Sequence, residues 1–123
     1  MNETPKKKIL IVYSEHGTRE ALDLILSVAH DTIKTDSPAQ AADVLAHAPS
    51  ITLLLWDTRH LTPKGSETLL RLQSQYPGLK TVLIGGRQTK DGAALGNGLN
   101  VNGNITKPFV PEEVLAVIQQ NIG

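Results

Sequence analysis

Five short apolar runs, each followed by a stretch with helical periodicity, constrain this chain more than any other feature. The first run is KILIVY, Lys8 to Tyr13, rich in β-branched residues as a buried strand would be. TREALDLILSVA (Thr18 to Ala29) then places Ala21, Leu22, Ile25, Leu26 and Ala29 at helical spacing. DTIKT (Asp31 to Thr35) is a weaker strand near an edge, followed by SPAQAADVLAHA (Ser37 to Ala48), where Ser37 and Pro38 form a helix start signal. ITLLLWD (Ile51 to Asp57) is the most apolar run and so a central strand, and GSETLLRLQSQY, stopped by Pro77-Gly78, is the third helix. KTVLIGG (Lys80 to Gly86) ends in glycines, TKDGAALGNG makes a poor fourth helix, and LNVNGNI (Leu99 to Ile105) is a weak last strand. VPEEVLAVIQQNI closes the chain with Pro111 and acidic residues at its start and Val114, Leu115, Val117 and Ile118 inward.

A β-α alternation repeated in this way predicts a parallel sheet with helices on both faces. Right-handed crossovers gather the strand C-termini on one edge, and ligands bind there, where strand order reverses. The residues to inspect are those that end the apolar runs: Tyr13, Ser14 and Glu15; Asp57; Gly85 and Gly86; Thr106 and Lys107.

Composition narrows the function classes. The 123 residues make one domain of ordinary size, 1–123, with a core of about residues 8–122 after a lead-in of 1–7. Twelve Lys+Arg balance twelve Asp+Glu, which argues against nucleic-acid or membrane-surface binding. The basic run Lys6-Lys7-Lys8 reads as a solvated lead-in. With no cysteine there is no disulfide, thiolate nucleophile or Cys-ligated zinc. No apolar run approaches the ~20 residues of a membrane span and no signal peptide opens the chain, so a cytoplasmic location is expected.

Asp57 is the first polar side chain at the mouth of the most apolar run, desolvated on one side and accessible on the other. A carboxylate so placed suits a nucleophile or a metal ligand; the competing reading is an aspartate that caps a loop or helix. Lys107, in ITKPF, can neutralise a carboxylate or phosphoryl group on the neighbouring strand, and Pro108 can take a cis peptide bond. His16, His30, His47 and His60 show no paired metal-ligand spacing, and His30 and His47 fall near helix C-termini, where a partly protonated His is favourable. Trp56 points to the opposite side of its strand from Asp57 and reads as core. No Ser-His-Asp or paired-carboxylate arrangement forms at the strand edge, so the chain is not expected to be an enzyme.

With those residues in place, the chain resembles a receiver domain of two-component response regulators, of the CheY-like type, over nearly its whole length. The order KILIV, LLLWD with Asp57, Gly65 eight residues later, TVLIGG, and ITKPF with Lys107 carries the likeness. The resemblance implies a doubly wound five-stranded parallel sheet of order 2-1-3-4-5. It implies Asp57 as phosphoacceptor, Lys107 as partner of the phosphoryl group or carboxylate, a Mg²⁺ ion between acceptor and phosphoryl oxygens, and a histidine kinase or downstream regulator as protein partner.

The match is partial. The acidic pair that ends the family's first strand falls on Tyr13 and Ser14, leaving only Glu15 with Asp57 for a weak Mg²⁺ site. The Thr/Ser switch position falls on Gly85 and the switch aromatic on Asn104, while Gly86 keeps a small residue beside the site. Arg59 and Arg87 are auxiliary cations able to swing over it, or solvated loop arginines. The expectation is an atypical receiver, a pseudo-receiver in which Asp57 and Lys107 pair directly. It would act through the face of the fourth helix, fifth strand and fifth helix, about Thr89 to Ile122, with Mg²⁺-dependent phosphorylation weak or absent. A phosphorylation-competent receiver is the alternative. A second is a flavodoxin-like FMN-binding protein, with Ser14, Gly17 and Thr18 as phosphate loop; scarce aromatics, short length and ITKPF count against it.

Overall fold

A computed structural model describes residues 7–48, 50–85 and 100–122. Within them the chain runs β1 (Lys8–Val12), α1 (His16–Leu26), β2 (Asp31–Thr35), α2 (Pro38–His47), β3 (Leu53–Asp57), a 3-10 turn (Thr58–His60), α3 (Pro63–Gln75), β4 (Lys80–Gly85), β5 (Gly103–Thr106) and α4 (Pro111–Ile122). The sheet is five-stranded and parallel in the order β2-β1-β3-β4-β5, as the alternation and the resemblance imply. The expected fourth helix, with Gly86 and Arg87, lies outside the described residues.

The central strands β1, β3 and β4 face two layers because both sheet surfaces are covered. Ile9, Ile11, Tyr13, Leu53, Leu55, Val82, Ile84 and Ile105 pack with Leu22 and Leu26 of α1 and Val114 and Ile118 of α4. On the other surface Leu10, Val12, Leu54, Trp56 and Leu83 pack with Ala41 and Leu45 of α2 and Leu69 and Leu72 of α3. Alternate residues thus go to opposite layers, which sends Trp56 into the second layer and leaves Asp57 on the other side. Burying a leucine or isoleucine of these layers contributes about 1.5–3 kcal/mol.

Boundaries differ from the sequence reading where local signals compete. α1 begins at His16 and stops at Leu26, because the backbone N–H groups of Ala29 and His30 turn back onto the Leu26 carbonyl. Ala29, beyond that end, is exposed, and Ala21 lies on the exposed side of the helix. α3 starts at Pro63, with the Thr62 hydroxyl accepting the Gly65 N–H at 3.0 Å, a cap-plus-proline signal of the same kind as Ser37-Pro38. His30 is buried rather than solvated, and desolvation pushes its pKa down, the reverse of the expected partial protonation.

The weak last strand is shorter than expected, and the asparagines before it act as hydrogen-bonding groups. Gln73 of α3 donates to Thr81 Oγ1 (3.0 Å) and to the Asn100 carbonyl (2.7 Å), and accepts the Asn100 N–H (3.0 Å). Asn102 Oδ1 accepts the Thr81 N–H at 2.9 Å. Polar side chains thereby fix the entry to β5, where apolar burial is sparse.

Candidate functional site at the carboxyl edge of the sheet

The parallel register brings the ends of β1, β3, β4 and β5 together. Asp57 pairs with Ile84, Gly85 with Thr106, and the Lys107 N–H donates to the Gly85 carbonyl at 2.7 Å. Tyr13, Glu15, Asp57, Thr58, Gly85 and Lys107 therefore border one edge, and the Lys107–Pro108 peptide bond is cis.

Asp57 is more enclosed than its place at a strand end implies. It is 1% exposed; Oδ1 accepts the Arg59 N–H at 2.9 Å, and Oδ2 is buried with no hydrogen-bond partner. The capping geometry is thus present, and it uses only half of the carboxylate. An unmatched buried carboxylate oxygen costs more than an unmatched neutral acceptor, so this oxygen is the strongest unmet demand at the edge.

Lys107 does not meet it. Its Nζ lies 4.0 Å from Glu15 Oε1 and 5.3 Å from the centre of the Tyr13 ring. The expected direct Asp57–Lys107 pair is therefore not formed. The reason is local: Tyr13 fills the core at the end of β1, and its ring offers Lys107 a cation–π surface beside the Glu15 carboxylate.

The donors at the end of β1 fit a divalent ion poorly. Tyr13 is in the core at 1% exposure, and Ser14 carries no charge. Glu15, whose side chain is 51% exposed, is engaged by Lys107 and by the Thr18 hydroxyl. Among the described residues no three His, Asp or Glu side chains converge. Arg19 takes up the nearby backbone, donating to the carbonyls of Tyr13 (2.9 Å) and Ser14 (3.3 Å). The same stretch suits a phosphate badly, because Glu15 sets a negative charge at the start of α1.

Arg59 keeps an exposed side chain and contributes its backbone N–H. Asn104 is exposed on β5. The resolved pKa shifts other than that of His30 lie between α1 and β2: Lys34 beside Glu20 (2.8 Å) pulls the glutamate down, and Glu20 raises the lysine.

Two residues of the site were not singled out in the sequence. Arg19 gives no signal there beyond its charge. Thr58 gives one only in three dimensions: a Cβ placed on Gly85 would fall 1.9 Å from Thr58 Oγ1, 3.0 Å from its Cβ and 3.1 Å from its Cγ2. The threonine thus occupies the space that a side chain at position 85 would fill. Gly65 has a matching role behind the 3-10 turn, since a Cβ there would stand 2.0 Å from the His60 carbonyl oxygen.

No family model and no curated protein matches the chain. Solved structures do. A response regulator from Thermotoga maritima superposes with a TM-score of 0.80 at 18% identity, covering 96% of this chain and 98% of that one. The chemotaxis protein CheY4 of Vibrio cholerae gives 0.81 at 20% identity, covering 96% and 100%. NtrX from Brucella abortus, solved with ADP, gives 0.80 at 23% identity; 96% of this chain covers 26% of that protein. The chain has the fold of CheY-like receiver domains.

Proposed function

We propose that this chain is an atypical receiver domain in two-component (phosphorelay) signal transduction, acting by protein–protein contact, with Mg²⁺-dependent phosphorylation of Asp57 weak or absent. One observation carries the reading: Lys107 is committed to Glu15 and the Tyr13 ring instead of to the acceptor. That pairing engages the one carboxylate left after β1 and sets a cation beside it. A dianionic donor then meets Asp57 with little opposing charge, and charge neutralisation supplies most of the catalysis in phosphoryl transfer.

The partner is a protein, a histidine kinase or a downstream regulator, and the contact surface is the face containing β5 and α4. Exposed Asn104, Thr106 and Val110 lie in its described part. Among the described residues no helix is long and apolar enough to cross a membrane.

The unpartnered Oδ2 of Asp57 favours a second reading, a receiver that does accept a phosphoryl group. Incubation with acetyl phosphate, with and without Mg²⁺, read by intact mass and Trp56 fluorescence, separates the two. The interaction reading expects little labelling and no gain from Mg²⁺; stoichiometric, Mg²⁺-dependent labelling of Asp57 sinks it. A flavin absorbance in the purified protein would instead revive the FMN reading.

A further inference from the structure

We propose that Thr58 and residue 85 have exchanged roles: Thr58 carries the hydroxyl of the Asp57 site, and Gly85 is glycine to make room for it. The proposal rests on the receiver reading above and concerns how that same site binds an anion.

The spatial argument is direct. Thr58 Oγ1 stands 1.9 Å from the point where Gly85 would carry a Cβ, closer than real Cβ contacts ever come. Any residue larger than glycine at position 85 must displace Thr58. Gly85 lies between the strand of Asp57 and the strand of Lys107, hydrogen-bonded to the Lys107 N–H. The Thr58 hydroxyl is therefore held against the end of β4, one residue along the chain from the carboxylate whose Oδ2 has no partner.

Thr58 is also fixed in place. Asp57 Oδ1 binds the Arg59 N–H (2.9 Å), the Leu61 N–H binds the Thr58 carbonyl (3.1 Å), and the Trp56 indole N–H binds the His60 carbonyl (3.3 Å). These three bonds span the turn on both sides of Thr58. A hydroxyl on this turn is positioned by the acceptor itself. It needs no movement of β4 to reach its place, and Gly85 gives β4 no side chain through which an anion at Asp57 could pull. Occupancy of the site is thereby uncoupled from the strand that follows it, which is the behaviour expected of a domain whose contacts do not depend on phosphorylation.

The chemistry is a simple displacement. When local opening uncovers Asp57, its ionised Oδ2 attacks the phosphorus of acetyl phosphate. The bond from phosphorus to the bridging oxygen breaks, and acetate leaves with that electron pair. No proton changes hands, and the Thr58 hydroxyl donates a hydrogen bond to a phosphoryl oxygen. Because the carboxylate is 1% exposed, this labelling is slow.

The test uses the full chain with excess acetyl phosphate and EDTA, intact mass as readout, and Asp57→Asn as the blank. Thr58→Ser is expected to label as the parent does, and Thr58→Val at least about tenfold more slowly, as for loss of one oxyanion donor. Urea denaturation followed by Trp56 fluorescence runs in parallel. Gly85→Thr is expected to lower the midpoint, and the exchange variant Thr58→Ala/Gly85→Thr to regain both the midpoint and the labelling. Equal labelling of Thr58→Val, no labelling of the parent, or an exchange variant no more stable than Gly85→Thr overturns the proposal. Absence of labelling leaves the protein-contact reading standing. Strong stimulation by Mg²⁺ does the reverse, removing that reading while the Thr58 variants still decide this one.

Discussion

Substituting Gly65 by alanine tests how tightly α3 is docked on the turn that carries Asp57. Alanine is the better helix former by about 1 kcal/mol, and no positive φ at Gly65 stands in its way. Propensity alone therefore predicts a gain. Packing predicts the opposite. The new Cβ would lie 2.0 Å from the His60 carbonyl oxygen and 2.9 Å from its carbon, both backbone atoms that no rotamer change can move. The helix and the turn must part by at least about 1 Å. Overpacking of this kind costs about 1–3 kcal/mol, and the Trp56 indole bond to the same carbonyl, 3.3 Å long, is worth about 1 kcal/mol more if it breaks.

The net loss is about 2 kcal/mol, which for a chain of this size lowers Tm by about 8 °C. Thermal and urea unfolding measured by circular dichroism give the stability, and a red shift of Trp56 emission reports the turn. Two other glycines calibrate the result. A Cβ at Gly78 meets nothing within 4 Å, and one at Gly17, inside α1, meets only Glu15 Oε2 at 3.7 Å. Gly78→Ala should be near neutral and Gly17→Ala neutral to stabilising by up to about 1 kcal/mol. If Gly65→Ala is as stable as Gly17→Ala, the close approach of α3 to the turn is wrong, and with it the account of how Asp57 is enclosed.

Restoring the missing acids should have unequal consequences: Tyr13→Asp buries a charge and empties an aromatic site, costing at least about 3–5 kcal/mol, whereas exposed Ser14→Asp should stay within about 0.5 kcal/mol, both read by urea denaturation. His30, pushed below its ordinary value of 6.5 by burial, is favoured neutral in the folded chain. Its contribution is fully present above the unfolded-state value and lost as the pH falls through the lower folded-state value. The urea midpoint should therefore be flat above about pH 7.5 and decline below about 6.5, and His30→Leu should remove that part of the slope. Gln73→Ala should cost about 1–3 kcal/mol by orphaning the Asn100 and Thr81 groups, and raise amide exchange of Asn100 by more than that of Leu54.

The sheet was legible because its signal is redundant. The three central apolar runs must be buried on both faces, and once helices separate them a parallel, doubly wound sheet satisfies them together. Helix ends were legible where cap and proline fell inside the counted segment, as at Ser37-Pro38. They were misjudged where periodicity was extended over residues that the chain uses to turn, as at Ala29, or where the cap stood outside the counted segment, as at Thr62. β5 was hard for a different reason. Its placement depends on Gln73, 27 residues before Asn100, and a long-range hydrogen bond leaves no local pattern.

The site was legible as positions and not as pairings. Register alone brings Asp57, Gly85 and Lys107 to one edge, so spacing along the chain suffices to find them. Which charge Lys107 chooses is a competition between distant groups, and the buried Tyr13 ring together with Glu15 wins it over an aspartate whose cap already binds one oxygen. Glycine at position 85 reads in one dimension as a lost side chain. In three dimensions the volume is still filled, by a threonine 27 positions earlier. A substitution at a site is therefore a statement about a space, and the neighbour that inherits the space decides whether the chemistry went with it. Thr58→Val, which keeps that volume and removes only the hydroxyl, is the change that separates the two.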